Sequence, residues 1–187
     1  MRLSTTIGDL IKYTQDGQSS AEAVRMFAET GFRYLDYDFY NVIFPDSPFL
    51  SEHWMDAVKE SADELGMRFV QAHSPNYNPL DPDADHKAGL LASVRSIEAC
   101  GYLGISNLVV HSGFTDRLLY PRDRGAYFEE NRKFYEALLP HAERHNVNIL
   151  IENSAEENMQ GRYFFMTGRE MVDCLDWVDH PLRHACW

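Results

Sequence analysis

Three short β-prone runs in this chain each stop at a side chain that can ligate a metal or carry a proton, and their spacing restricts the fold more than any other feature. Arg68-Phe69-Val70-Gln71-Ala72 leads into His73, Ser106-Asn107-Leu108-Val109-Val110 into His111, and Val147-Asn148-Ile149-Leu150-Ile151 into Glu152. The separations are 38 and 41 residues, and the stretches between the runs carry helical caps and helical periodicity, which is the rhythm of strand, loop, helix, strand. Such a rhythm builds a parallel sheet with helical crossovers. In these sheets, open or closed, chemistry gathers at the carboxyl ends of the strands, where the three residues belong.

The rhythm extends in both directions. Leu3 to Ile7 predicts a first strand, and the aromatic, apolar run Gly31 to Asp38 a second. Ser19 or Ser20 starts a helix over Ala21 to Glu29 with Gly31 after it, and Ser51 starts another over Glu52 to Leu65 with Gly66 after it. Asp83 or Asp85 opens a third that runs to Cys100, with Gly101 as its stop. A fourth is predicted from about Phe128 to His145, and a fifth from Thr167 as cap to about Val178. Pro181 bars further helix, so Arg183 to Trp187 reads as the opening of a sixth strand. The chain thus holds about five and a half β/α units, whereas an eight-unit barrel needs roughly 250 residues. The choice lies between an open six-stranded sheet and a barrel that stops early, and the strand still in progress at Trp187 favours an incomplete (β/α)8 barrel, one domain over residues 1–187.

Composition sets the class. Hydrophobic content of 44% and charged content of 25% describe a soluble globular protein. No apolar run approaches the ~20 residues of a membrane span, and Met1-Arg2-Leu3-Ser4-Thr5 lacks the layout of a secretory signal. Cys100, Cys174 and Cys186 are scattered and odd in number, which fits reduced thiols and a cytoplasmic location rather than a disulfide framework. The formal charge of −12 repels phosphate backbones, so nucleic acid is a disfavoured partner.

Each candidate residue has an ordinary structural alternative. Glu152 ends a strand apolar enough to be buried on both faces, where an ionised carboxylate needs a cation, a metal or several donors; the alternative is a side chain turned out to solvent. His111 precedes the polar exit Ser112-Gly113, and His73 an ordered loop, Ser74-Pro75-Asn76-Tyr77-Asn78-Pro79. Imidazoles there suit zinc, manganese or iron, or proton transfer, or a hydrogen bond to loop backbone. Asp36 shares a face of the second strand with Asp38 and is placed to hold sugar hydroxyls or to make a structural hydrogen bond. His141 and His145 are four apart without the intervening Glu of a His-Glu-x-x-His motif, and read as a solvated helix-end pair. His53, His86, His180 and His184 are weaker candidates. Tyr77, Tyr120 and Tyr163 fall in loops after strands, where a sugar could stack.

Absences narrow the chemistry. Neither a Gly-x-Gly-x-x-Gly nor a Gly-x-x-x-x-Gly-Lys-Ser/Thr motif occurs, and there is no Gly-x-Ser-x-Gly elbow. Lys12, Lys59, Lys87 and Lys133 lie off the strand tips that a Schiff-base lysine would occupy. A retaining glycosidase needs two carboxylates roughly 5 Å apart, and only Glu152 is well placed. Metal-assisted chemistry fits best.

Gly31-Phe32-Arg33-Tyr34-Leu35-Asp36, Gln71-Ala72-His73-Ser74, Leu108-Val109-Val110-His111-Ser112-Gly113, Ile149-Leu150-Ile151-Glu152-Asn153 and His184-Ala185-Cys186-Trp187, in this order and spacing, resemble the xylose-isomerase-like TIM barrel superfamily. That group includes sugar and sugar-phosphate isomerases and epimerases, and endonuclease IV. The resemblance implies that Glu152, at the end of the fifth strand, ligates a divalent metal (Mn, Co, Mg or Zn). It implies that His73 and His111 either join a zinc site, as in endonuclease-type members, or line the substrate pocket with Asp36. In the family the run matching Ala185-Cys186-Trp187 continues into Asp-x-Gly-His, which supplies a further metal ligand; the sequence stops before it. The implied protein is a metal-dependent isomerase or epimerase of a small sugar or sugar phosphate, with Glu152 as catalytic acid or base. A zinc phosphodiester hydrolase and a catalytically incomplete fragment are the alternatives. Uncovered strand edges in such a chain predict a homo-oligomer.

Overall fold

A computed structural model describes residues 3–11, 13, 20–40, 52–119, 122–153 and 167–186. Ser19, Ser51, Tyr120, Tyr163, Trp187 and the side chain of His53 lie outside the described part. The elements are β1 (Ser4–Thr6), α1 (Gly8–Ile11), α2 (Ser20–Glu29), β2 (Tyr34–Asp38), α3 (Glu52–Leu65), β3 (Arg68–His73), α4 (His86–Leu103), β4 (Asn107–Val109), α5 (Arg124–His145), β5 (Asn148–Glu152), α6 (Gly168–Trp177) and β6 (Arg183–Cys186). The six strands are all parallel, each paired with the next in sequence. A doubly wound open sheet reverses its strand order at a switch point, whereas a barrel adds strands in sequence order. This order has no reversal, so the sheet is six consecutive strands of a (β/α)8 barrel, an incomplete barrel.

Alternation along each strand separates core from site. Leu35, Tyr37, Ala72, Leu108, Ile149 and Ile151 face the helices and are fully buried with Val24, Val58, Ile97, Tyr135 and Leu138. Burial of each large side chain contributes about 1.5–3 kcal/mol. The opposite face carries Asp36, Gln71, His73, Asn107, Asn148 and Glu152, a polar set joined in part by a 2.9 Å hydrogen bond from Asn148 Nδ2 to Asn107 Oδ1.

One irregularity decides what β3 shows to each side. Leu35 is opposite Phe69, yet Asp36 is opposite Gln71, so Val70 is an extra residue in the pairing. Phe69 therefore packs against Tyr37 in the core, ring centroids 5.4 Å apart, while Gln71 and His73 reach Asp36 on the inner face. A regular strand would put all three on one side, and the bulge re-aims the last two.

Two helix ends differ from the sequence expectation. α4 continues past Gly101 to Leu103 and stops at Gly104, which adopts the left-handed conformation at φ 71° and donates its N–H to Cys100 and Gly101 carbonyls. Gly101 serves instead as a close-packing point: a Cβ there would lie 2.8 Å from the His145 ring. α5 begins at Arg124 rather than Phe128 because Asp123 already accepts the first helical bond, from Tyr127 N at 3.0 Å. Two other caps agree. Asp85 accepts from Ala88 N, and Thr167 forms a reciprocal capping box with Glu170.

Candidate metal centre

His73 ends β3 and Glu152 ends β5, while His111 follows β4 by two residues, one side-chain level above Val109. Since Val109 pairs with both His73 and Leu150, the three strand ends meet on the inner face of the sheet. His73 Nε2 is 3.8 Å from Glu152 Oε1, and His111 Nδ1 is 3.6 Å from Glu152 Oε2. One ligand atom from each of the three lies within 4.8 Å of the others. All three side chains are partly open to solvent, as a site that admits a ligand must be.

The electrostatics divide the two imidazoles. Burial pushes His73 down, but the hydrogen bond to Asp36 and the nearby carboxylates of Asp36 and Glu152 outweigh it and raise its pKa to about 10. His111 moves the other way, lowered chiefly by burial and further by His73 against the pull of Glu152, so its lone pair is free at neutral pH. Glu152 is held below the usual carboxylate range chiefly by His73, whose Nε2 faces it at 3.8 Å, against the effect of burial. The His73 ring stands between two carboxylates, with Nδ1 toward Asp36 and Nε2 toward Glu152.

The backbone beyond His111 is clamped from α5. Asn131, fully buried, accepts from Gly113 N at 2.6 Å and donates to Gly113 O at 3.2 Å and to Tyr127 O at 3.1 Å. Tyr135 donates its hydroxyl to Val110 O, and the Tyr127 and Ser112 hydroxyls share a 3.1 Å bond. From the other side Asn78 accepts from Phe114 N and donates to Phe114 O. Gly113 fits between these groups because a Cβ would meet Leu80, Pro79 and Asn78 at 2.7–2.9 Å. The sequence reading named Asn78 only as part of the ordered loop after His73 and passed over Asn131, whose one signal was a polar residue on the apolar stripe of a long helix.

Asp36 lies behind His73, only 7% exposed, bonded to His73 Nδ1 and to Gln71 Nε2. Asp38 takes a separate role, accepting from Tyr40 N. The Tyr40 ring stands edge-on to His111, with centroids 6.4 Å apart, and is partly exposed. Tyr77 packs over Gly89 and bonds His86 Nδ1 at 2.8 Å, away from the cluster. His145 rests on Gly101, and His180 pairs with Glu143 at 3.2 Å. Neither joins the centre.

Residues 24–187 match the family described as xylose isomerase-like TIM barrel. No curated protein matches the chain in sequence. Among solved structures, an AP endonuclease of family 2 from Brucella melitensis superposes with a TM-score of 0.72 at 19% identity, over 98% of this chain and 67% of that one. A D-tagatose 3-epimerase-like protein gives 0.72 at 16% identity, over 98% and 63%. D-psicose 3-epimerase from Clostridium cellulolyticum H10, solved with D-tagatose, gives 0.72 at 16% identity, over 99% and 62%. Identities this low carry the likeness of fold alone, and the chain spans 62–67% of the length of these three structures.

Proposed function

The chain belongs to the xylose isomerase-like TIM barrel family, and from that premise we propose that it is a metal-dependent isomerase or epimerase of a sugar or sugar derivative, working by proton transfer beside a carbonyl. The observation that carries this reading is the convergence of His73, His111 and Glu152 within 4.8 Å. Two imidazole nitrogens and a carboxylate are a donor set for zinc, cobalt, manganese or magnesium, in descending order of nitrogen preference. Separations of 3.6 and 3.8 Å to Glu152 fit as well, because ligands at about 2.0–2.1 Å around a tetrahedral ion stand about 3.4 Å apart.

When bound, a divalent ion polarises a sugar carbonyl and makes the neighbouring C–H more acidic. Glu152 supplies the carboxylate of the set and is its one acid–base group of acidic type, able to take a proton from carbon and return it. His111, neutral and half-exposed, and His73 hold the ion or hydroxyls of the substrate. Tyr40 offers an apolar edge beside His111 for the sugar ring. Since the chain spans about two thirds of the similar structures, the activity is proposed for the protein that carries this site, with small sugars or sugar phosphates as substrates.

A zinc phosphodiester hydrolase is the second reading, favoured by the two-nitrogen donor set and opposed by the charge of −12. The test is a panel of ketoses and ketose phosphates, with an abasic-site duplex alongside, assayed with Mn, Co, Mg or Zn. Interconversion that stops with chelator and in Glu152→Gln supports the first reading, and strand cleavage supports the second. Turnover that ignores both chelator and the substitution would remove the metal mechanism altogether.

A further inference from the structure

We propose that Asp36 is a positioning residue for the metal centre: its carboxylate holds the Nδ1–H of His73 and so turns Nε2 toward the point shared with His111 and Glu152. This rests on the reading of His73 as a ligand. His73 Nδ1 lies 3.2 Å from Asp36 Oδ1 and 3.1 Å from Oδ2, so both carboxylate oxygens receive the same ring nitrogen. With Nδ1 against both carboxylate oxygens, that nitrogen keeps its proton as the donor, and Nε2, 3.8 Å from Glu152, is the atom that gives up its proton when an ion binds and then serves as the ligand. A ring held this way is fixed in both tautomer and rotation, the arrangement by which a carboxylate behind a histidine tunes a metal.

The carboxylate is itself held. Gln71 Nε2 donates to Asp36 Oδ2 at 2.7 Å, and the Gln71 amide is oriented from β6, where the Cys186 thiol approaches its Oε1 at 3.9 Å. Placing Gln71 and His73 on the face of Asp36 requires the extra residue Val70, so the bulge in β3 and the carboxylate in β2 form one device. A direct part for Asp36 in binding substrate hydroxyls would need a free oxygen facing the cavity. Both oxygens are engaged, and the residue is buried.

The experiment compares wild type, Asp36→Asn, Asp36→Glu and Gln71→Met. In metal-free wild type, NMR of the imidazole protons should show a far-downfield, slowly exchanging His73 Nδ1–H, absent from Asp36→Asn. Zinc and cobalt affinities, measured by chelator competition, should fall 10- to 100-fold in Asp36→Asn, less in Gln71→Met, and recover in part in Asp36→Glu. Gln71→Met leaves Asp36 in place, so it keeps the test open if Asp36→Asn folds poorly. An Nδ1–H signal that survives Asp36→Asn, or an ion affinity that the substitution leaves within twofold, overturns the positioning role alone. A wild type with the signal but with no affinity for either ion overturns the metal reading and this role with it.

Discussion

Replacing Asn131 by Ala tests how the centre is built. The side chain satisfies both backbone groups of Gly113 and touches the Tyr127 carbonyl, all in the dry interior. Truncation leaves the Gly113 N–H and C=O without that partner, and each buried orphan costs about 1–3 kcal/mol. Adding the small cavity, the expected loss is about 3–5 kcal/mol, a large share of a total stability of about 5–15 kcal/mol. Urea unfolding followed by circular dichroism reads it as a lower midpoint at unchanged slope. Asn131→Asp separates hydrogen bonding from packing. It keeps volume and the acceptor for Gly113 N–H, but it aims a carboxylate at two carbonyl oxygens, so the loss should be at least as large as for Ala. Losses below about 1 kcal/mol in both variants would refute the clamp.

Further outcomes follow from other contacts. In Gly89→Ala the new Cβ would lie 2.3 Å from the Tyr77 ring, so the ring must move off His86; we expect a destabilisation of about 1–3 kcal/mol from overpacking, and an unchanged thermal midpoint would contradict the packing described. His73, raised to about 10 in the folded state from 6.5, contributes stability that is complete below pH 6.5. The contribution is lost as pH rises through about 10, because the folded chain then holds a proton that the unfolded chain has released. Denaturation midpoints measured from pH 6 to 10 should therefore fall in wild type and flatten in His73→Gln; parallel profiles would refute the assignment.

What could be read in advance was whatever leaves a periodic trace. The placing of His73 and Glu152 at strand ends, and of His111 just past one, follows from β-prone runs at a near-constant period, and the sequential strand order follows from the helices between them. The Thr167 and Asp85 caps were legible for the same local reason. The extra residue Val70 has no compositional mark, because a bulge is defined by the partner strand 35 residues away. Gly101 and Gly104 are alike as letters. Only the approach of His145 to one and the left-handed backbone of the other tell them apart. Asp36 was legible as a strand-end acid, but its attachment to His73 and Gln71 is a fact of register that a one-residue slip would abolish.

The convergence of His73, His111 and Glu152 on one ion is the central claim, and isothermal titration of the metal-free chain with manganese, cobalt and zinc tests it most directly. The account predicts one ion per chain, weakened by each of His73→Ala, His111→Ala and Glu152→Ala, with proton release greater below pH 10 than above it. A chain that takes up none of the three ions, or binds them equally well after all three substitutions, would contradict it.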